Sequence, residues 1–293
     1  MTLPHQQRPG SVAEILKSAR DEFLAHHIDP HLAHLETQVL LAHVLEYDRS
    51  WLIAHDQELV NAAQHNLFQS LVKRRINGEP IAYLTGYREF WSLGIKVSPD
   101  VLIPRPETEL LIETVLQHLA ETKASTITVA DLGTGSGAIA IALATECPNA
   151  TIVATDTSIP ALALATENVR RHALNNVHIV ASDWCSALGT EQFQIICANP
   201  PYIADSDPHL EQGDLRYEPE SALTAGSDGL DDLRHIIYQA RTCLTLNGML
   251  LLEHGLDQSH QVREIYAQSG YRQISSRDDL LGHERISMAF KDV

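Results

Sequence analysis

Val129-Ala130-Asp131-Leu132-Gly133-Thr134-Gly135-Ser136-Gly137-Ala138-Ile139-Ala140 decides the fold of this 293-residue chain. An apolar run reads as a buried strand, the glycines as a turn, and the Ala-rich run after them as a helix. Glycine tolerates φ > 0 and lets a ligand approach the backbone closely. The helix N-terminus behind it presents unpaired N–H groups. Gly133, Thr134, Gly135, Ser136 and Gly137 are therefore the expected cradle of a nucleotide-type cofactor. The spacing Gly133-x-Gly135-x-x-Ala138 also satisfies the dinucleotide fingerprint, so the turn alone leaves two cofactor classes open.

Downstream signals narrow the choice. The next strand, Thr151-Ile152-Val153-Ala154-Thr155, ends at Asp156. That carboxylate lies about 20 residues beyond the glycines, where a partner for ribose hydroxyls is expected. NAD and S-adenosylmethionine both carry such a ribose. A third strand, Val177–Ala181, is followed by Asp183-Trp184. A carboxylate there can accept from an adenine amino group, and an indole can pack on the ring. A fourth apolar run, Phe193-Gln194-Ile195-Ile196-Cys197-Ala198, leads into Asn199-Pro200-Pro201-Tyr202. Both prolines hold φ near about −65° and supply no N–H. The Asn199 carboxamide and the Pro200 carbonyl are thus expected to offer two oxygen acceptors to a planar –NH2 group. Pro201 stiffens the corner, and Tyr202 is expected to cover the amide face. Such a site suits chemistry on an amide or exocyclic amine nitrogen. All four signals fall at strand carboxyl ends, where open α/β sheets bind ligands. Together they favour S-adenosylmethionine, because a hydride-transfer site bound to NAD leaves Asn199-Pro-Pro-Tyr unexplained.

Other stretches extend the pattern: Leu102-Ile103-Pro104-Arg105-Pro106-Glu107-Thr108-Glu109, Ser182-Asp183-Trp184, Tyr217-Glu218-Pro219 and Leu251-Leu252-Glu253-His254-Gly255. On these motifs the chain resembles, over nearly its whole length, the HemK/PrmC family of protein-glutamine N5-methyltransferases. That family modifies bacterial peptide-chain release factors. Asn-Pro-Pro-Tyr alone also occurs in DNA adenine and ribosomal RNA methyltransferases. The Pro-Arg-Pro-Glu-Thr-Glu segment and the helical region before it single out this family. The resemblance implies a Rossmann-like, class I S-adenosylmethionine-dependent methyltransferase sheet of seven strands, the last antiparallel, with a small N-terminal helical domain. It implies methyl transfer to a glutamine side-chain amide, with Asn199, Pro200 and Tyr202 at the chemistry. It also implies that Arg105 and Pro106 close the substrate crevice, although Arg105 can equally be a structural clamp on the helix beginning near Glu107. The alternative is a methyltransferase for an exocyclic amine in DNA or rRNA.

The alternation of strands and helices beyond residue 107 gives a mostly parallel, doubly wound sheet. Residues 1–80 read instead as a helical domain. Ser11-Val12-Ala13-Glu14 is a capping box, and Asp29-Pro30 reads as N-cap and first residue of a second helix. Leu32, Leu35, Val39, Leu40 and Val44 are expected on that helix's apolar side. Leu59, Ala62, Ala63, Leu67 and Leu71 are expected on a third, stopped by Gly78 and Pro80. Residues 81–106 read as a linker with a strand pair, Ser92–Val97 and Val101–Ile103. Residues 107–293 form the methyltransferase domain, and the helical region is expected to recognise the protein substrate. The long stretch from Ile203 to Gly229 reads as a substrate loop or lid.

The formal net charge is −17. Residues 1–100 carry 9 Lys+Arg against 12 Asp+Glu; residues 101–293 carry 12 against 26. Nucleic-acid binders present a basic stripe to phosphates. The only tight basic cluster, Lys73-Arg74-Arg75, reads as the solvated end of a helix. Release factors are the expected partner, with no nucleic-acid substrate. No apolar run approaches the ~18 residues of a membrane span, and Met1 to Arg8 lacks the apolar core of a signal peptide. The four cysteines form no Cys-x-x-Cys pair, which fits buried thiols in a reducing cytoplasm. His31 and His34 lack a third ligand, so no metal site is expected. The chain is expected to act as a monomer.

Overall fold

The structure, a computed structural model, describes residues 10–122 and 127–292. The amino-terminal stretch Met1 to Arg8 read above for a signal peptide lies outside them. Two compact units divide between Gly86 and Tyr87.

The first unit is helical. α1 (Val12–Ala25) opens on the predicted capping box, with the Ser11 and Glu14 side chains each accepting from the other's backbone N–H. α2 (Pro30–Leu45) follows its Asp29 N-cap, then come α3 (Arg49–Ala54), α4 (Ala62–Ile76) and α5 (Ile81–Thr85). Phe23, Leu40, Leu41, Phe68 and Val72 are fully buried at its centre. Leu32, Leu35, Leu59 and Leu67 are exposed, against expectation. α2 is apolar on most sides, so spacing alone fits more than one face, and the buried one runs through Ala33, Thr37, Leu40, Leu41 and Val44. The basic cluster is not a free helix end either. Arg75 makes a two-pronged pair with Glu36, Nε to Oε2 at 2.8 Å and Nη2 to Oε1 at 2.9 Å, which ties α4 to α2. Pro80 does not end the helical region, because it serves as the N-cap of α5.

The second unit begins with a hairpin, β1 (Tyr87–Phe90) and β2 (Leu93–Lys96). The predicted partner, Val101–Ile103, is not a strand. The hairpin escaped the sequence reading because its turn, Trp91-Ser92, adopts φ of 54° and 58° without the usual Gly or Asn. Val101 and Ile103 are nonetheless buried.

α6 (Glu109–Thr122) then leads into alternating β3 (Thr128–Leu132), α7 (Ala138–Glu146), β4 (Thr151–Asp156), α8 (Ile159–Arg171) and β5 (Val177–Ala181). β6 (Phe193–Ala198), α9 (Asp231–Cys243), β7 (Leu244–Glu253), α10 (Ser259–Gln268), β8 (Tyr271–Asp278) and β9 (Glu284–Lys291) complete the chain. The seven-stranded sheet has the order β5-β4-β3-β6-β7-β9-β8, with β9 alone antiparallel to its neighbours. One face packs on α6 and α7 through Leu111, Ile112, Val115, Ile139 and Ile141. The other packs on α9 and α10 through Leu233, Ile236, Val262 and Tyr266. The strand order reverses between β3 and β6, and a crevice opens at that switch point.

Candidate active site

Strand register brings the sequence signals together. Leu132 pairs with Ala198 and with Thr155, Asp156 pairs with Ala181, and Ala198 pairs with Leu252. The residue after each pairing partner therefore emerges on one sheet edge: Gly133, Asn199, Ser182 and Glu253. A cavity of about 290 Å³ lies along that edge. Its wall includes Gly133, Thr134, Gly135, Ser136, Asp156, Asp183, Trp184, Asn199 and Pro201 among the expected residues.

The glycine turn is built by hydrogen bonds to two carboxylates. Asp131, fully buried at the end of β3, accepts from the Thr134 hydroxyl at 2.6 Å and the Ala140 N–H at 3.2 Å. Burial pushes its carboxyl up to about 7. Asp156 accepts from the Gly135 N–H through Oδ2 and the Ser158 N–H through Oδ1, both at 2.9 Å. Gly133 has φ of 68°, and a Cβ there would lie 2.9 Å from Cζ3 of the Trp184 indole. Only glycine lets the indole approach so closely. The Trp184 carbonyl in turn accepts from the Ser182 hydroxyl at 2.9 Å. Burial raises the Asp232 carboxyl, and a hydrogen bond from the Trp184 side chain draws it back down. Asp232, at the start of α9, also lines the cavity. The sequence reading missed it, and its only signal was a pair of acids at a helix N-terminus.

Gly137 stands apart from this wall. Its φ is 84°, and a Cβ would meet Ala165 at 3.2 Å and Ile141 at 3.3 Å. Its role is close packing of α7 on α8, the place of the third glycine in such turns.

Asn199 is held from one side. Its Nδ2 donates to the Thr108 Oγ1 at 2.9 Å. Its Oδ1 is buried and has no hydrogen-bond partner. A buried amide oxygen left unpaired costs about 1–3 kcal/mol, so this atom is an acceptor waiting for a donor. Thr108 lies inside the quoted Pro-Arg-Pro-Glu-Thr-Glu segment, but its contact with Asn199 was not legible there. Pro200 is buried and does not line the cavity. Tyr202 does not line the cavity either. Its hydroxyl donates to Glu253 Oε1 at 3.3 Å, and burial raises its pKa.

Arg105 and Pro106 do not wall the cavity; Pro104 and Thr108 do. The Arg105 guanidinium is taken by Glu218, whose other oxygen accepts from the Ile103 N–H at 3.0 Å. This bond explains why Val101–Ile103 forms no strand: the backbone there pairs with a side chain of the 203–229 segment. That segment folds into three short 3-10 turns, and its Pro219, Ser221 and Ala222 close the cavity.

Residues 106–213 match the family described as "Methyltransferase small domain", and residues 14–86 match "PrmC N-terminal domain". A protein of Coxiella burnetii named "Release factor glutamine methyltransferase" is 47% identical, over 87% of this chain and 91% of its own length. One of the same name from Pseudomonas aeruginosa is 49% identical, over 87% and 92%. The fold is similar to that of a Thermus thermophilus 16S rRNA methyltransferase solved with AdoMet and guanosine, at 18% identity and a TM-score of 0.53 over 70% of this chain and 49% of that one.

Proposed function

The chain belongs to the family of release factor glutamine methyltransferases, and we propose that it transfers a methyl group from S-adenosylmethionine to the side-chain N5 of a glutamine in peptide-chain release factors. The observation that carries the site assignment is Asn199, which lines the cavity while its side-chain Oδ1 is buried and unpartnered.

The residues suit the cofactor. Gly133 and Gly135 leave the backbone of the turn open to a ligand, the Asp156 carboxylate keeps lone pairs beyond its two backbone bonds, and Asp183, Trp184 and Asp232 make an amine-accepting, flat-faced end. S-adenosylmethionine supplies an electrophilic methyl on a sulfonium. The remaining chemistry falls to Asn199. A glutamine amide nitrogen is a poor nucleophile because its lone pair is delocalised into the carbonyl. Asn199 Oδ1 accepts one of its hydrogens, orients the nitrogen and stabilises the positive charge that grows on it. The nitrogen becomes acidic as it is alkylated, so no strong base is required. Thr108 keeps the carboxamide from turning over. The wall residue Pro201 stiffens the corner, and Tyr202 supports it from behind through Glu253.

The test of substrate class is incubation with methyl-labelled S-adenosylmethionine and, separately, folded release factor, rRNA and duplex DNA. Label on a release-factor glutamine is expected. Label on nucleic acid instead would overturn the reading. The excess of acidic over basic residues beyond residue 100 favours a protein partner with a basic face.

Two further outcomes follow from the layout. Asp156→Ala should weaken cofactor binding by about 1.5–3 kcal/mol, the scale of hydrogen bonds to a charged group. Calorimetry giving an unchanged Kd would remove the ribose assignment. The residues found to line the cavity, by contrast, all belong to the second unit. A fragment beginning at Tyr87 should bind S-adenosylmethionine with nearly the parent Kd yet methylate folded release factor with a much lower kcat/KM. Equal kcat/KM for fragment and full chain would show that the helical unit does not recognise the substrate.

A further inference from the structure

Leu280 and Leu281 are the two most exposed large apolar side chains among the described residues: Leu280 is fully exposed and Leu281 80% exposed. They form the tip of the turn between β8 and β9. Burial of an apolar side chain is what stabilises a fold, and these two contribute none. The turn that carries them is nevertheless firmly built. The Asp279 N–H donates to the His283 carbonyl at 2.8 Å, and the Gly282 N–H donates to the Asp279 carbonyl at 3.0 Å. Asp279 Oδ1 accepts from the Leu281 N–H at 2.8 Å and the His283 N–H at 3.0 Å, and Oδ2 accepts from Arg285 Nε at 3.2 Å. Gly282 closes the turn at a φ of 83°. Side chains presented on an ordered turn lose less entropy when they dock.

Strand register places this tip. β9 runs antiparallel to β7, with Ile286 opposite Glu253, and the His254 N–H donates to the Arg285 carbonyl at 3.0 Å. The head of β9 and the turn before it therefore stand at the carboxyl end of β7. That is the sheet edge from which Asn199 emerges and along which the cavity lies. The loop that follows β7 on the same edge exposes a third leucine, Leu256. Exposed leucines scattered singly are ordinary, whereas neighbouring ones beside a site mark an interaction surface.

We propose that Leu280 and Leu281 are a docking anchor for the protein substrate: they seat in an apolar hollow of the release factor while its glutamine lies at Asn199. The inference rests on the release-factor reading above and says which part of this edge grips the partner. The tip shares its edge with the reacting site, so the occupant is the molecule that brings the glutamine. Charge selects the same occupant. Asp205, Glu211, Glu220, Asp257 and Asp278 are exposed on this edge, and residues 203–229 hold seven acids against one arginine. A two-fold pairing with a second copy of this chain would set the same acids against each other. An anionic membrane surface would be repelled as well. A protein with a basic rim around an apolar hollow is attracted, and apolar anchors inside a polar rim are how specific interfaces are made.

The test is the full chain carrying Leu280→Ser and Leu281→Ser together. Both side chains lie in solvent, so Tm and cofactor Kd should match the parent. KM for folded release factor should rise roughly tenfold, the scale of losing an interface anchor, with kcat unchanged at saturating release factor. The Kd for release factor, measured by calorimetry with S-adenosylhomocysteine present, should weaken by the same factor. Leu280→Met with Leu281→Met should keep the parent KM. Leu246→Ser should keep it too, because Leu246 is exposed near the amino end of β7, on the opposite edge. A double-serine variant with the parent's KM and Kd, or one that loses kcat alone, overturns the proposal. So does a parent that dimerises in light scattering, or sediments with phosphatidylglycerol vesicles, through these leucines. If release factor binds in a leucine-dependent way but its glutamine takes no label, the methylation reading falls and the anchor stands. If release factor neither binds nor takes label, both fall.

Discussion

Asn199→Ala should transfer methyl to release factor about 10²–10³-fold more slowly than the parent, the cost of losing one preorganised polar group aimed at developing charge. Cofactor Kd should change little. The reason is the asymmetry of the side chain. Nδ2 is anchored on Thr108, while Oδ1 is buried with no partner. Folding has already desolvated that oxygen, so no water need be displaced when the substrate amine arrives. The bond it makes strengthens as the nitrogen gains positive charge, so the loss appears in kcat more than in binding. Asn199→Asp is the sharper comparison. It keeps an acceptor but cannot donate to Thr108, and it adds a negative charge beside a cationic cofactor. Binding should survive and turnover should fall. Single-turnover transfer, with cofactor affinity measured separately, resolves the two effects. A parent rate in Asn199→Ala would reduce the residue to a former of the corner.

The sheet was legible in the sequence because each core strand is a short apolar run that ends on a special residue. Val177–Ala181 and Phe193–Ala198 occupy the positions read for them. The strands flanking a glycine turn, an Asp and an Asn-Pro-Pro corner have little choice of depth or direction. Periodicity failed where burial is not one-faced. α2 has apolar residues around its whole circumference, so Leu32 and Leu35 fitted a pattern that the packing did not use. The β1–β2 hairpin was hidden by a turn of two positive-φ residues, Trp91 and Ser92, that carry no turn signal.

The candidate site shows the same division. Gly133, Asp156, Trp184 and Asn199 could be placed from sequence because each lies at, or within three residues of, the carboxyl end of a parallel strand, and register carries those ends to one edge. Thr108, Asp232 and Glu218 could not, because their roles depend on partners 91, 48 and 113 residues away in the chain. Nothing local in Tyr217-Glu218-Pro219 says that its carboxylate is spoken for by Arg105. Arg105 and Tyr202 are each engaged by a buried acid that no local signal shows, and for Arg105 this is a clamp of the kind the sequence left open.

Arg105→Ala is accordingly expected to act on stability first, lowering it by about 3–5 kcal/mol, the cost of breaking a buried ion pair from one side. The Glu218 side chain is 0% exposed and the Arg105 side chain 27%. Removing the guanidinium leaves the carboxylate with only the Ile103 N–H to satisfy it. Burial already raises the Glu218 pKa, and the Arg105 charge works against that rise. Without Arg105 the carboxyl moves higher still and takes up a proton more readily. A neutral acid needs no counter-charge, so the deficit is full at alkaline pH and shrinks as pH falls. The difference in Tm between parent and variant should therefore be larger at pH 8 than at pH 5. The Glu218→Gln background removes the buried charge, so a double-mutant cycle should show most of the Arg105→Ala penalty gone. Function follows through the same segment. Glu218 pins the backbone that carries Pro219, Ser221 and Ala222 to the cavity wall. Proteases should cut between residues 203 and 229 faster in Arg105→Ala, and bound S-adenosylmethionine should slow them. If Arg105→Ala instead melts with the parent at both pH values but has lost methyl transfer, Arg105 is a substrate-binding residue, and the clamp assigned to it here does not exist.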